Sequence, residues 1–448
     1  MKKLLIAILC AALLLTGCAA AAPDASPSAA ITAVYPEMAP YPNEADFIDP
    51  KTGVFDSEGF SKVYDAWRSN RDLRQDIPQG YGDSLKYYFH SSIPVFLSGS
   101  EENTVCSPLN IYMALAMLAE CTDGLARSQI LALLDADSMD ALRTQANQVW
   151  RAHYNADGAS ACVLANSLWL NNGLTYDADT VNRLVSDHYA SVFQGALGSG
   201  EMNQKLRDWL NEQTGGLLEE QAQNLSLDPQ TVLALASTIY YRAKWHSEFS
   251  PEQNTEEAFH TPGGDVTTTF MNKQLTYGPY YWGDDFGAVS LALEDGSKMW
   301  LILPDEGLTP EDLLASRNAT KLVLGGWLET ENCKQLRVNL SLPKFDAASD
   351  QRLDSALKTL GITSAFDHDA DFSPILPDHT AWLDAVNHAA RVKVDEEGVE
   401  AAAYTVMAIA GASMPPEDEM DFILDRPFLF FITSRDDLPL FAGIVNEP

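Results

Sequence analysis

From Ala401 to Pro416 the chain carries no charge, although acids crowd both ends: Asp395, Glu396 and Glu397 before it, Glu417, Asp418 and Glu419 after it. The segment lies near the C-terminus of a 448-residue chain, is rich in Ala and β-branched residues, and closes on Pro415-Pro416. A buried helix is disfavoured, because the segment lacks a polar face and the proline pair would stop it. A strand suits its pattern, since side chains alternate faces along a strand. From Val399 every second position is Val399, Ala401, Ala403, Thr405, Met407 and Ile409, none of them charged. Pattern alone leaves open whether the segment is a core strand or a piece held exposed and used.

Elsewhere, helix and strand signals are intermixed without regular alternation. Ser107-Pro108 starts a helix, since Ser caps free amides and Pro suits the first turn; Ile111, Leu115 and Leu118 form its apolar stripe. Residues 335–345 alternate as a half-buried strand through Leu336, Val338, Leu340 and Leu342. Residues 231–241 and 299–304 are continuous apolar runs of strand type, and Leu353, Leu357 and Leu360 mark a helix ending at Gly361. Two β-rich runs, 428–433 and 440–445, close the chain. The expected class is α+β.

The N-terminus reads as an export signal. Lys2 and Lys3 precede an apolar run from Leu4 to Leu15, too short to span a bilayer, and Leu15-Thr16-Gly17-Cys18 resembles a bacterial lipobox. This implies cleavage before Cys18, lipid on its thiol, and attachment at the extracellular face of a bacterial cell envelope through that anchor alone. Residues 1–17 are then a lipoprotein signal peptide. Residues 18–77 hold the lipidated Cys18, a flexible Ala/Pro/Ser-rich tether and a polar extension with a short helix around Phe60–Trp67. Residues 78–448 form one globular domain, expected as a monomer. Cys106, Cys121, Cys162 and Cys333 lack Cys-x-x-Cys spacing, so buried free thiols are expected and a zinc site is not.

The net charge of −34 argues against nucleic acid and heparin-type polyanions as partners. There is no Gly-x-Ser-x-Gly elbow, no glycine-rich phosphate loop and no His-Glu-x-x-His. Asp367, Asp369 and Asp371 imitate the opening of a calcium loop, but Phe372 stands where the turn needs Gly. The chain is read as no enzyme, without cofactor or metal.

Seven segments in order resemble the serpin family: 103–120, 235–251, 342–345, 357–367, 370–373, 386–403 and 425–448. The resemblance implies three β-sheets with about nine helices and an exposed reactive-centre loop. It implies an inhibitor that a serine protease attacks as substrate, after which the loop enters the large sheet as a new strand and carries the acylated enzyme with it. The hinge matches Glu396, Glu397, Gly398, Val399, Glu400, Ala401, Ala402 and Ala403, where Gly398 is expected to free the backbone. The family's spacing from the hinge places the scissile bond at Ala412-Ser413, which suits elastase-like or subtilisin-like enzymes with small or shallow apolar pockets.

A family cluster of polar residues beneath the strands that part matches Ser107, Asn110, Ser237 and His388. Two positions depart from the family, with Asn110 in place of a serine and Ser237 in place of an asparagine. We expect Asn110, Ser237 and His388 to form one mutually bonded lock. Trp245 is expected at the top of the sheet, and Lys344 is expected to pair with Glu396. The alternative within the family is a non-inhibitory binding protein at the cell surface.

Overall fold

The computed structural model of the protein describes residues 31–74, 77–78, 80–99, 102–223, 225–325, 332–399 and 416–448. Residues 1–17, Cys18, Glu400, Ala401, Ala402, Ala403, Ala412 and Ser413 lie outside the described residues. The chain runs through α1 (Ser57–Arg74), α2 (Leu85–Leu97), β1 (Thr104–Cys106), α3 (Pro108–Cys121), α4 (Gly124–Leu133) and α5 (Met139–His153). It continues through β2 (Asn155–Ala156), β3 (Ala161–Asn171), α6 (Ala178–Asp187), β4 (Ala190–Gly195), α7 (Gly200–Gln213), α8 (Glu219–Gln223) and β5 (Leu233–Lys244). Then come β6 (Thr255–Thr261), β7 (Gly264–Trp282), β8 (Phe286–Ala292), β9 (Lys298–Pro304), α9 (Pro310–Ser316) and α10 (Asn318–Val323). The last third holds β10 (Cys333–Pro343), β11 (Phe345–Arg352), α11 (Asp354–Thr359), β12 (Asn387–Val394), β13 (Gly398–Val399), β14 (Glu419–Ile423), β15 (Phe428–Thr433) and β16 (Pro439–Val445).

One sheet runs β11-β12-β13-β5-β3-β2, with β4 parallel to β3. The other runs β1-β16-β15-β9-β8-β7-β10-β14, with β6 on β7. The two smaller sheets of the expected three are one hydrogen-bonded network here, because β7 is a single 19-residue strand. Its first third pairs β6, its last residues pair β8, and β10 follows its second half.

The core follows from burial on both faces. Every residue of β15 and β16 is buried, and these two strands read as unbroken apolar runs, not as alternating ones. Helices α2 and α3 and strand β11 pack on β16. Helix α3 is buried at every residue except Ala114, its polar side chains Asn110 and Glu120 included. Ser107 caps it by accepting the Asn110 amide at 3.2 Å, and Pro108 opens its first turn. The strand expected over 335–345 breaks into β10 and β11 at Lys344. Gly361, in the left-handed region at φ +98°, follows α11.

Two expectations are corrected. Residues 31–42, read as part of a loose tether, lie along the domain. Ile31 bridges Val192 at the sheet edge, Tyr35 packs among Trp150, Tyr154 and Tyr189, and the Tyr41 amide donates to the Asp157 carbonyl at 2.8 Å. Large aromatic area buried by a few residues outweighs a composition typical of linkers. Cys333 is exposed, unlike buried Cys106, Cys121 and Cys162, because it is the first residue of its strand.

Candidate functional site

The N-terminus of α3 grips both sides of the large sheet. Asn110 donates from Nδ2 to the Ser237 carbonyl of β5 at 3.1 Å, and its Oδ1 accepts the Ser237 hydroxyl. On the other side, the Ser107 amide donates to Nε2 of His388 in β12 at 3.0 Å. The Ser107 hydroxyl donates to the Leu440 carbonyl of β16 at 2.6 Å. Burial pushes His388 down to about 4, so the ring is neutral near pH 7 and Nε2 is free to accept. The expected mutual lock is therefore two clamps. His388 bonds the backbone of Ser107 and not Asn110 or Ser237, because the cap geometry already turns that amide toward β12.

Between those clamps the sheet is split. Among the described residues no ladder joins β5 to β12; only β13 stands between them. Gly398 pairs with Lys244 and Val399 with Ala243 on one side, and Val399 pairs with Val394 on the other. A cleft of about 590 Å³ has Asn110, Leu233 to Thr238 of β5, Asn387 to Ala389 of β12, and apolar residues of α7 such as Leu206 and Leu210 in its walls.

The hinge residues are fixed at the upper end by backbone and side chain together. The Asp395 carbonyl accepts the Trp245 indole N–H at 2.8 Å, the Glu397 carbonyl accepts the Trp245 amide at 3.1 Å, and the Glu396 carbonyl accepts the Phe249 amide at 3.0 Å. Trp245 is buried. The Glu396 carboxylate meets Lys344 Nζ at 2.5 Å and Asn254 Nδ2 at 2.6 Å. Burial alone would raise this carboxyl; the bonds from Lys344 and Asn254 outweigh it and hold the group below its usual range.

Gly398 is required by space. A Cβ there would meet the Ala243 carbonyl oxygen at 2.4 Å and Lys244 Cα at 2.7 Å. The expected role of backbone freedom gives way to close approach of two strands. Sequence reasoning missed Asp395, whose carboxylate caps the Glu397 and Gly398 amides at 3.0 and 3.3 Å, and also Asn254. An Asp two residues before an amide that needs a partner is the signal that was available for the first.

The family described as Serpin (serine protease inhibitor) matches residues 95–448. An uncharacterized serpin-like protein of Thermococcus kodakarensis is 28% identical over 364 residues, which is 79% of this chain and 82% of that protein. A leukocyte elastase inhibitor of Sus scrofa is 29% identical over 356 residues, 77% of this chain and 93% of its own. The crystal structure of tengpin, a thermophilic serpin in its native state, superposes with a TM-score of 0.71 at 25% identity, covering 81% of this chain and 94% of that one.

Proposed function

This chain belongs to the serpin family, and from that premise we propose that it is a suicide-substrate inhibitor of elastase-like or subtilisin-like serine proteases. The protease serine attacks the Ala412 carbonyl carbon, an ester forms to its Oγ, and the Ser413 amine leaves with the proton. The freed segment after Val399 then fills the gap between β5 and β12 as a strand antiparallel to both. Ester hydrolysis stalls because the enzyme's site is deformed in transit.

The observation that carries this reading is the wedge of Gly398 and Val399 between two strands that share no ladder among the described residues. Continuing its register one residue at a time sets Ala401 across from Tyr241 and Thr405 across from Ser237. On the β12 side the same continuation sets Thr405 across from His388. The inward row would then be the uncharged one, with a hydroxyl arriving at the level of the two clamps. Each new ladder bond adds ~1 kcal/mol net, so ten or more supply on the order of 10 kcal/mol before packing. An Ala at the cut bond suits an enzyme with a small apolar pocket, and the leukocyte elastase inhibitor of Sus scrofa is a relative whose name carries that activity. Export and a lipid anchor at Cys18 belong to the same proposal and rest on residues 1–18.

The test is incubation with elastase followed by denaturing electrophoresis. A covalent band that survives SDS is expected, and mass spectrometry of the released peptide should begin at Ser413. Cleavage in the loop with no stable complex overturns the inhibitory reading.

A further inference from the structure

The docked extension encloses a cavity that loop insertion does not use. It holds about 320 Å³ between α1 and the domain. The extension contributes a connected set of rings, Tyr41, Phe60, Tyr64 and Trp67. Carboxylates outnumber guanidiniums around it: Glu44, Asp157, Glu294, Asp295 and Asp436 against Arg71 and Arg435. Arg71 already lies 4.9 Å from the centre of the Trp67 ring, so that indole takes a cation on one face. Aromatic faces and surplus carboxylate act in the same direction, toward positive charge.

The walls also hold a buried polar group that no neighbour answers: among the described residues, His153 Nε2 has no hydrogen-bond partner, on a residue 6% exposed. His153 commits Nδ1 to the Val149 carbonyl at 2.7 Å, which leaves Nε2 as a lone pair. Burial keeps that imidazole neutral. Buried polar atoms ordinarily find partners, and a lone pair beside carboxylates is best met by a charged N–H donor. Asp295 accepts the Tyr241 hydroxyl and the Ser297 amide, both at 3.0 Å, and burial raises its carboxyl and that of Glu294. A cation placed between these acids and the rings would offset that desolvation.

We propose that this cavity binds a small organic cation, a primary or secondary ammonium on an apolar body the size of one ring. A quaternary ammonium is excluded by the same logic, since it offers no N–H to His153. Six of the lining residues, Tyr41, Glu44, Phe60, Tyr64, Trp67 and Arg71, belong to the extension, so binding and docking of the extension are one equilibrium.

Titration calorimetry on the full chain tests this with 2-phenylethylamine, its neutral counterpart 2-phenylethanol, and the anionic phenylacetate. Saturable one-to-one binding of the amine is expected, with the alcohol at least about tenfold weaker and the acid silent. Trp67→Ala should abolish amine binding. Asp295→Asn, which keeps the side chain's shape, should weaken it by about tenfold while thermal unfolding of the free protein stays close to the parent. No saturable amine binding, equal binding of the alcohol, or binding untouched by either substitution overturns the proposal. These readouts do not depend on protease inhibition, so either reading falls without the other.

Discussion

Strands β15 and β16 and strands β5 and β12 behave as opposites. β15 and β16 pair along their length and bury every residue. β5 and β12 lie in one sheet, flank a cleft, and share no ladder among the described residues. Most of the first half of β5, from Leu233 to Ser237, is only half-buried. The difference includes what each strand has for a partner: the cleft side has side-chain clamps where the hairpin has backbone.

The largest expected effect tests that contrast directly. Phe430→Ala in β15, fully buried, should cost ~3–5 kcal/mol in denaturant unfolding, whereas Leu235→Ala in β5 should cost less than half of that. Equal losses would mean the two regions are packed alike. Next comes acidity at the β12 clamp. Unfolded, His388 titrates near 6.5; folded, it resists protonation until about 4. The unfolded chain therefore binds more protons in that window, and stability present above 6.5 is lost as pH falls toward 4, by roughly 3 kcal/mol in all. Glu396, held below its usual range, loses stability in the same direction but at lower pH. In His388→Gln the loss between 6.5 and 4 should flatten; a slope that survives would place its origin elsewhere.

Gly398→Ala should cost ~1–3 kcal/mol, since its Cβ would stand 2.4 Å from the Ala243 carbonyl. Hydrogen exchange at the Trp245 indole should quicken as the hinge leaves its place; unchanged protection would show that the wedge tolerates a side chain. The smallest effect is at the rim. Lys344 is 38% exposed, so Lys344→Ala should change stability by only ~0–1 kcal/mol in the same unfolding assay, and a larger loss would make the pair a structural element of the wedge.

How far the sequence reaches can be judged residue by residue. β15 and β16 are legible because burial on both faces leaves unbroken apolar runs. The start of α3 is legible because Ser107-Pro108 is a local signal that needs no partner elsewhere. The pairing of Asn110 with Ser237 is suggested by two complementary residue types, each standing at a position where the resembled family carries the other. The partner of His388 is hidden, because it is a backbone amide and a backbone amide leaves no mark in the residue string. Docking of residues 31–42 is hidden for a related reason. Tyr35 is one ring in an Ala/Pro/Ser stretch, and Trp150, Tyr154 and Tyr189 become its neighbours only when the chain folds back. The joining of two sheets by β7 escapes too, since a 19-residue strand that changes partners looks like two strands and a turn.

One consequence of the α3 clamps concerns rate. Parting two zipped strands means breaking a row of backbone bonds that no substitution can weaken singly. Here β5 and β12 are each tied to the same helix end by a few side-chain contacts, Asn110 to one and Ser107 with His388 to the other. In the proposed loop insertion, the threshold for admitting a strand is therefore written in individual side chains. Single substitutions can raise or lower it in small steps while the rest of the fold, anchored on β15 and β16, stays as it is.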